Sequence, residues 1–297
     1  MLLNVLEIAF NRPDKLSKLI DQLKLNEEKI GTITFWLNQG YDQETINGSN
    51  LCLKVITETT FKNRSILRPA SHLPVYESIP EALDNFFSNH NFGLILEDDC
   101  LPTTNFINYL FDIELEESIN YLTSGSNPYA QKIHANEIEV VLKKALFFQV
   151  WGWYGPSHIW IDYSQNYRRD LAKYSYWSIF KILKSKGLKT TFCLDFAGKI
   201  YLSDKKIIKT WDYQFSFYLL ANNIITWVPN YNLVENIGFD DTATNTFVRP
   251  KHYYFKNLEL EKPVRQINET YFDFNAIYQS TNIIKLLKTF RRWLISK

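Results

Sequence analysis

Cysteine is scarce. The 297 residues hold three, Cys52, Cys100 and Cys193, far apart, with no CxxC pair and no nearby histidine pair. That pattern excludes a disulfide framework and a zinc site, and it fits buried free thiols in a reducing compartment. Net charge is also nearly absent, at +1, so no global field draws the chain to nucleic acid. No apolar run is long enough to cross a bilayer, and there is no internal repeat or low-complexity tract. The five histidines (His72, His90, His134, His158, His252) show no ligand spacing, so core or surface is expected for each. The opening stretch MLLNVLEIAFNRPD lacks a basic segment ahead of a long apolar one. It carries Glu7 and turns by Asn11, so it reads as a first strand and not a signal peptide. A cytoplasmic location is expected.

What is present is apolar and aromatic. Hydrophobic residues make up 45%, enough for one large core or two modest ones, and with no linker visible a single domain is expected. Aromatics make up 16%, and such rings fill cores or form flat platforms with a polar edge. Val5 to Phe10 reads as a buried strand, and Leu16, Leu19, Ile20 and Leu23 recur at helical spacing after Pro13. Further strands are expected in GTITFWLNQG, Leu51 to Thr57 and FGLILEDD, with a helix in SIPEALDNFFSNH. Later helices are expected in NFINYLFDIEL, in RRDLAKYSYWSIFKILKSKG and in SDKKIIKTWDYQFSFYLLANN, the last capped by Ser203 or Asp204. Strands alternating with helices predict an α/β fold with a mainly parallel central sheet flanked by helices. Ligands on such sheets sit at the carboxyl ends of the strands, where NRP, NQG and the acids Glu97 to Asp99 all fall.

Three consecutive acids repel one another unless they are solvated or something positive sits among them. Along an extended strand Glu97 and Asp99 share a face, and two hard oxygen ligands on one face suit Mg²⁺ or Mn²⁺. A solvated acidic turn is the plainer alternative.

The stretch LILEDDCLPTTNFINYL resembles the metal-binding motif of GT-A glycosyltransferases, most closely the N-acetylglucosaminyltransferase I type and bacterial family 2-like members. IAFNRPDKLSKLIDQL is similar to their first strand and nucleotide-binding loop, LTSGSNP to the strand after the metal motif, and VWGWYGPSHIW to their glycine–tryptophan segment. TWDYQFSFYLL resembles the WD helix, and VPNYNLVENIGFDDTATNT the following proline strand and a closing glycine loop. The resemblance implies a nucleotide-diphospho-sugar transferase domain over 1–250, with a nucleotide-binding half (1–125) and an acceptor half (126–250). It also implies a metal-dependent, inverting transfer of a hexosyl or N-acetylhexosaminyl group to a hydroxyl, in bacterial-type glycan synthesis.

By the same resemblance Asp99 binds the metal. Glu97 and Asp98 support the metal, ribose or donor sugar, and Asn11 and Arg12 touch the nucleotide. Asn38 stands where relatives often place an aspartate against the base, and Asn245 where bacterial relatives often have a histidine. Asp212 matches the general base. Trp151 and Trp153 are candidates for a wall around the donor or acceptor, or for core packing, and Trp153 is the donor contact expected of the pair. Arg68, before Pro69, is a phosphate candidate or a surface residue.

Residues 251–297 form a C-terminal extension. In TNIIKLLKTFRRWLISK a helix would gather Ile283, Leu286, Leu287, Phe290 and Leu294 on one face and Lys285, Lys288 and Arg292 on another. Such a basic amphipathic helix (281–297) suits the inner face of a membrane, where a lipid-linked glycan acceptor would lie, or packs on its own domain. Two other readings stand beside the transferase: a non-catalytic carbohydrate-binding protein on the same fold, and a sugar nucleotidyltransferase. The latter would want a glycine-rich phosphate loop that IAFNRPDK lacks.

Overall fold

The structure, a computed structural model, describes residues 2–113, 120–127, 130, 139–168, 173–239, 254–257 and 263–270. The amphipathic stretch 281–297 and Asn245 lie outside the described residues.

A nine-stranded sheet runs through both halves of the chain. Its strands are β1 (Leu3–Ala9), β2 (Ile30–Leu37), β3 (Arg64–Leu67), β4 (Phe92–Glu97), β6 (Tyr121–Ser124), β7 (Val141–Ala145), β8 (Trp153–Pro156), β9 (Ile225–Pro229) and β11 (Arg265–Thr270). The order is β11-β7-β9-β6-β8-β4-β1-β2-β3. The block β4-β1-β2-β3 is parallel, as expected. Beyond it the sheet is mixed: β8 runs antiparallel to both β4 and β6, and β7 runs antiparallel to β9. A small antiparallel pair, β5 (Cys100–Pro102) with β10 (Val234–Asn236), brings the end of the second half back beside β4. β11, at residues 265–270, joins the sheet alongside β7.

Helices cover both faces. On one side α1 (Pro13–Lys24), α2 (Gln43–Glu58) and α4 (Thr104–Ile113) bury Leu16, Leu19, Cys52, Ile56, Phe106 and Leu110 against β1, β2 and β4. On the other, α3 (Val75–Phe87), α5 (Ser157–Asp162), α6 (Tyr176–Ser185), α7 (Thr190–Asp204) and α8 (Asp212–Ala221) enclose a core rich in rings, with Trp153, Trp160 and Phe215 fully buried.

Two expectations need correction. Leu51–Thr57 belongs to α2 and is not a strand. Asp42 caps that helix in a reciprocal box with Thr45, and Thr45, Ser49, Cys52 and Ile56 face inward at a period of 3.6, not 2. The third strand of the sheet is the short segment Arg64–Leu67 instead. The helix expected from Ser203 onward is two helices. α7 ends at Asp204, Lys206 takes a left-handed turn (φ 57°), and α8 starts afresh at Asp212. Gly187 does follow α6 in the left-handed conformation (φ 80°) that such a stop favours.

Candidate active site

The carboxyl edge of the parallel block gathers the residues that matter. Ala9 ends β1 opposite Leu37 at the end of β2, and Ile8 pairs with Glu97 at the end of β4. The turn Asp98–Asp99 and the NRP turn therefore leave the sheet side by side. Asp98 N donates to Ile8 O (3.2 Å) and Asn38 N to Ala9 O (3.0 Å), locking the three strand ends together.

Arg12 fills the space between the acids. It sits ahead of Pro13 at the start of α1, and its side chain leaves the helix for the acid turn. Nε donates to Asp98 Oδ2 (3.1 Å), Nη2 to Asp98 Oδ1, and Nη1 lies 2.7 Å from Asp99 Oδ2. The guanidinium is 14% exposed and Asp98 is buried, so this is a bidentate, largely dry pair of the strong kind. Burial pushes the Asp98 carboxyl up and Arg12 pulls it back. The acidic turn is thus neither solvated nor without a cation: the chain supplies one.

Arg12 does not return every acid of the site to its ordinary range. Glu97 is held well above the usual carboxylate range by burial, then by Asp99, with Arg12 opposing and Asp98 and Asp212 adding to the rise. Its carboxyl makes no hydrogen bond or ion pair to another described residue. Glu7, on β1, is fully buried with neither carboxyl oxygen bonded. Burial raises its pKa and Asp98 adds to that. Asp99 is also crowded from above: Gly238 follows β10 so closely that any Cβ there would collide with Asp99 Oδ2, and Ile237 N donates to Asp99 O (2.8 Å).

Asp212 opens α8. Its carboxyl accepts a short hydrogen bond from Thr210 Oγ1. Burial raises its pKa, while Thr210, the helix's first amides and Lys199 hold it down. Its charge adds, after those of Asp99 and Asp98, to the rise at Glu97.

The nucleotide candidates divide. Asn11 stands beside α2 where only glycine fits, since a Cβ on Gly48 would come within 2.7 Å of Asn11 O. Asn38 is buried and its amide is consumed by backbone: Nδ2 donates to Leu73 O (2.7 Å), and Oδ1 accepts from Gln39 N and Leu73 N. Arg68 donates to Gln39 Oε1 (3.1 Å) and Ser49 Oγ (3.0 Å), bracing the same loop. Around that loop Phe10, Tyr41 and His72 form an aromatic group. Phe10 and Tyr41 stack at 6.3 Å, His72 meets Tyr41 at 4.7 Å, and Tyr41 is 64% exposed. Tyr41 is not among the residues the sequence singles out, although the turn NQGY at the end of β2 carries it, and His72 is expected there only as a core or surface residue.

The two tryptophans also part. Trp153 is 1% exposed and packs on Phe87, Phe148 and Phe215, so it is a core residue and not a donor contact. Trp151, only partly buried, meets Phe239 edge-on at 5.5 Å, next to Gly238 and hence near Asp99. Among the described residues no group of three or more His, Cys, Asp or Glu converges with metal-site geometry. Two surface depressions, one lined by Glu27, Lys62 and Asn63 and the other by Asp84, Trp160 and Gln165, lie away from these residues.

No family model and no curated protein sequence matches the chain. Among solved structures it is similar to mannosyltransferase PcManGT from Pyrobaculum calidifontis, in complex with GDP-Man and Mn2+. Identity is 9% and the TM-score 0.37, over 55% of this chain and 46% of that one, so it spans about half of that relative's length. It is also similar to galactosyltransferase LgtC with donor and acceptor sugar analogs (9% identity, TM-score 0.38, 75% of this chain and 73% of that one). A third is 4-diphosphocytidyl-2C-methyl-D-erythritol synthase from Anaerococcus prevotii (6% identity, TM-score 0.35, 55% of this chain and 76% of that one). Similarity this distant ties the chain to none of their activities.

Proposed function

We propose that the chain is a metal-dependent, inverting glycosyltransferase of the GT-A class. It moves a sugar from a nucleotide-diphosphate donor to a hydroxyl of a glycan or lipid-linked glycan. The observation that carries this reading is the acid turn at the end of β4: Arg12 grips Asp98 and Asp99, while Glu97 forms no ion pair with another described residue and is pushed up in part by the charge of Asp212.

That excess of carboxyl groups fits a divalent ion. Asp99 and the unpaired Glu97 would hold it, and Mn²⁺ or Mg²⁺ so bound would neutralise a departing diphosphate. The chain's own groups do the rest. Asp98 anchors Arg12, whose remaining N–H groups are available to phosphate oxygens. Asn11 and the Phe10, Tyr41 and His72 rings flank the nucleotide, with Asn38 holding their loop. Trp151 walls the sugar side. Asp212 takes the acceptor's proton as the bond to the anomeric carbon forms, and its burial raises its basicity for that step.

The grip of Arg12 on Asp98 and Asp99 favours a second reading, a metal-independent, non-catalytic binder of the same ligands. Calorimetry with UDP and GDP, with and without Mn²⁺, tests the first reading. Binding that requires Mn²⁺ and is lost in Asp99→Ala supports it. Tight binding indifferent to Mn²⁺ rejects it in favour of the second.

A further inference from the structure

The solvent face of α6 has a character that sugar transfer does not use. Trp177 is 53% exposed. Its ring meets Tyr176 edge-on at 5.2 Å and Phe180 at 5.7 Å, so it is held in place while facing water. Lys181 and Lys184 follow at i+4 and i+7 and are exposed on the same face, opposite the buried Ile179 and Leu183.

The surroundings are basic. Residues 171–194 include Lys173, Lys181, Lys184, Lys186 and Lys189 and contain no aspartate or glutamate. Lys184 donates to Leu188 O (2.9 Å) and Lys186 to Asn223 Oδ1 (2.6 Å), both neutral acceptors. Lys181 and Lys189 form no ion pair with another described residue. The first acid of α7, Asp195, is buried and already paired with Lys199 at 2.7 Å. Among the described residues, no acid pairs with Lys181, Lys184, Lys186 or Lys189.

An indole with one apolar and one polar edge, ringed by lysines on long apolar stems, matches the boundary between acyl chains and headgroups. Anionic headgroups supply the charge the patch lacks. We infer that the Trp177–Lys181–Lys184 face of α6 docks the protein onto an anionic lipid surface. This inference is independent of the C-terminal amphipathic stretch and of the transfer reaction.

Co-sedimentation of the full chain with phosphatidylglycerol–phosphatidylcholine vesicles, and with phosphatidylcholine alone, tests it. The parent should bind the anionic vesicles only. Lys181→Gln with Lys184→Gln should weaken that binding about thirty-fold, and Trp177→Ala should weaken it independently. The urea midpoints and nucleotide affinities of both variants should match the parent. If the parent ignores anionic vesicles, or both variants sediment as it does, the inference is overturned. Equal binding to neutral vesicles, or preference for single-stranded RNA over lipid, would overturn it as well.

Discussion

Gly238 lies directly against the carboxylate of Asp99, with no room for even a methyl group between them. A segment more than a hundred residues downstream thus fixes how the acid turn presents its outermost oxygens. Gly238→Ala should push Asp99 aside at an overpacking cost of about 1–3 kcal/mol. Mn²⁺-dependent nucleotide affinity should fall at least tenfold, and calorimetry on the variant checks it.

Asp212→Asn keeps the helix start and its bond to Thr210 while removing the proton acceptor. Transfer should drop by about 10²–10⁴, the usual worth of a general base, with donor affinity unchanged. Transfer at the parental rate would reject Asp212 as the base.

Arg12→Met should be damaging in a different way. It leaves Asp98 buried without its partner, a loss of about 3–5 kcal/mol. Asp98→Asn combined with Arg12→Met should recover much of that loss. A double-mutant cycle in urea reads the coupling directly.

Glu7 supplies a pH signature. Burial raises its pKa in the folded chain, and Asp98 adds to that. The folded state therefore binds the proton more tightly than the unfolded one. Stability is fully present below the unfolded glutamate pKa of about 4.3 and is lost as pH rises through the folded value. Glu7→Gln should flatten that decline, so the variant gains on the parent at neutral and alkaline pH and not in acid. Urea midpoints across the pH range check the sign.

The tryptophans give a paired test. Trp153→Ala opens the core and should cost about 3–5 kcal/mol. Trp151→Ala should leave the midpoint nearly unchanged and weaken sugar-nucleotide binding.

Much of this was legible because it is local. The apolar strands of the parallel block, the stripe Leu16, Leu19, Ile20 and Leu23, and the placement of NRP, NQG and the acids at strand ends all follow from periodicity and punctuation. What escaped depends on distance or on a single dihedral. Arg12 meets Asp98 across 86 positions, a pairing no short window contains. Trp151 and Trp153 are two apart, which on a strand would give them one face. Gly152 turns left-handed (φ 68°) and β8 begins only at Trp153, so they separate. The break before α8 turns on Lys206, with no glycine or proline to announce it. Leu51–Thr57 was misread because the apolar half of a capped helix, seen alone, passes for a strand.

The placement of β11 bears on how the tail can be studied. Residues 265–270 hydrogen-bond along β7 and cover an edge of the sheet, with Gln266 reaching Tyr109 Oη (2.6 Å) and Arg265 reaching Glu139 (2.8 Å). A deletion meant to remove the amphipathic stretch must stop beyond Thr270. Cut further back, it would bare unpaired backbone groups on β7 and invite self-association, and clumped protein pelleting by itself would be mistaken for altered lipid affinity.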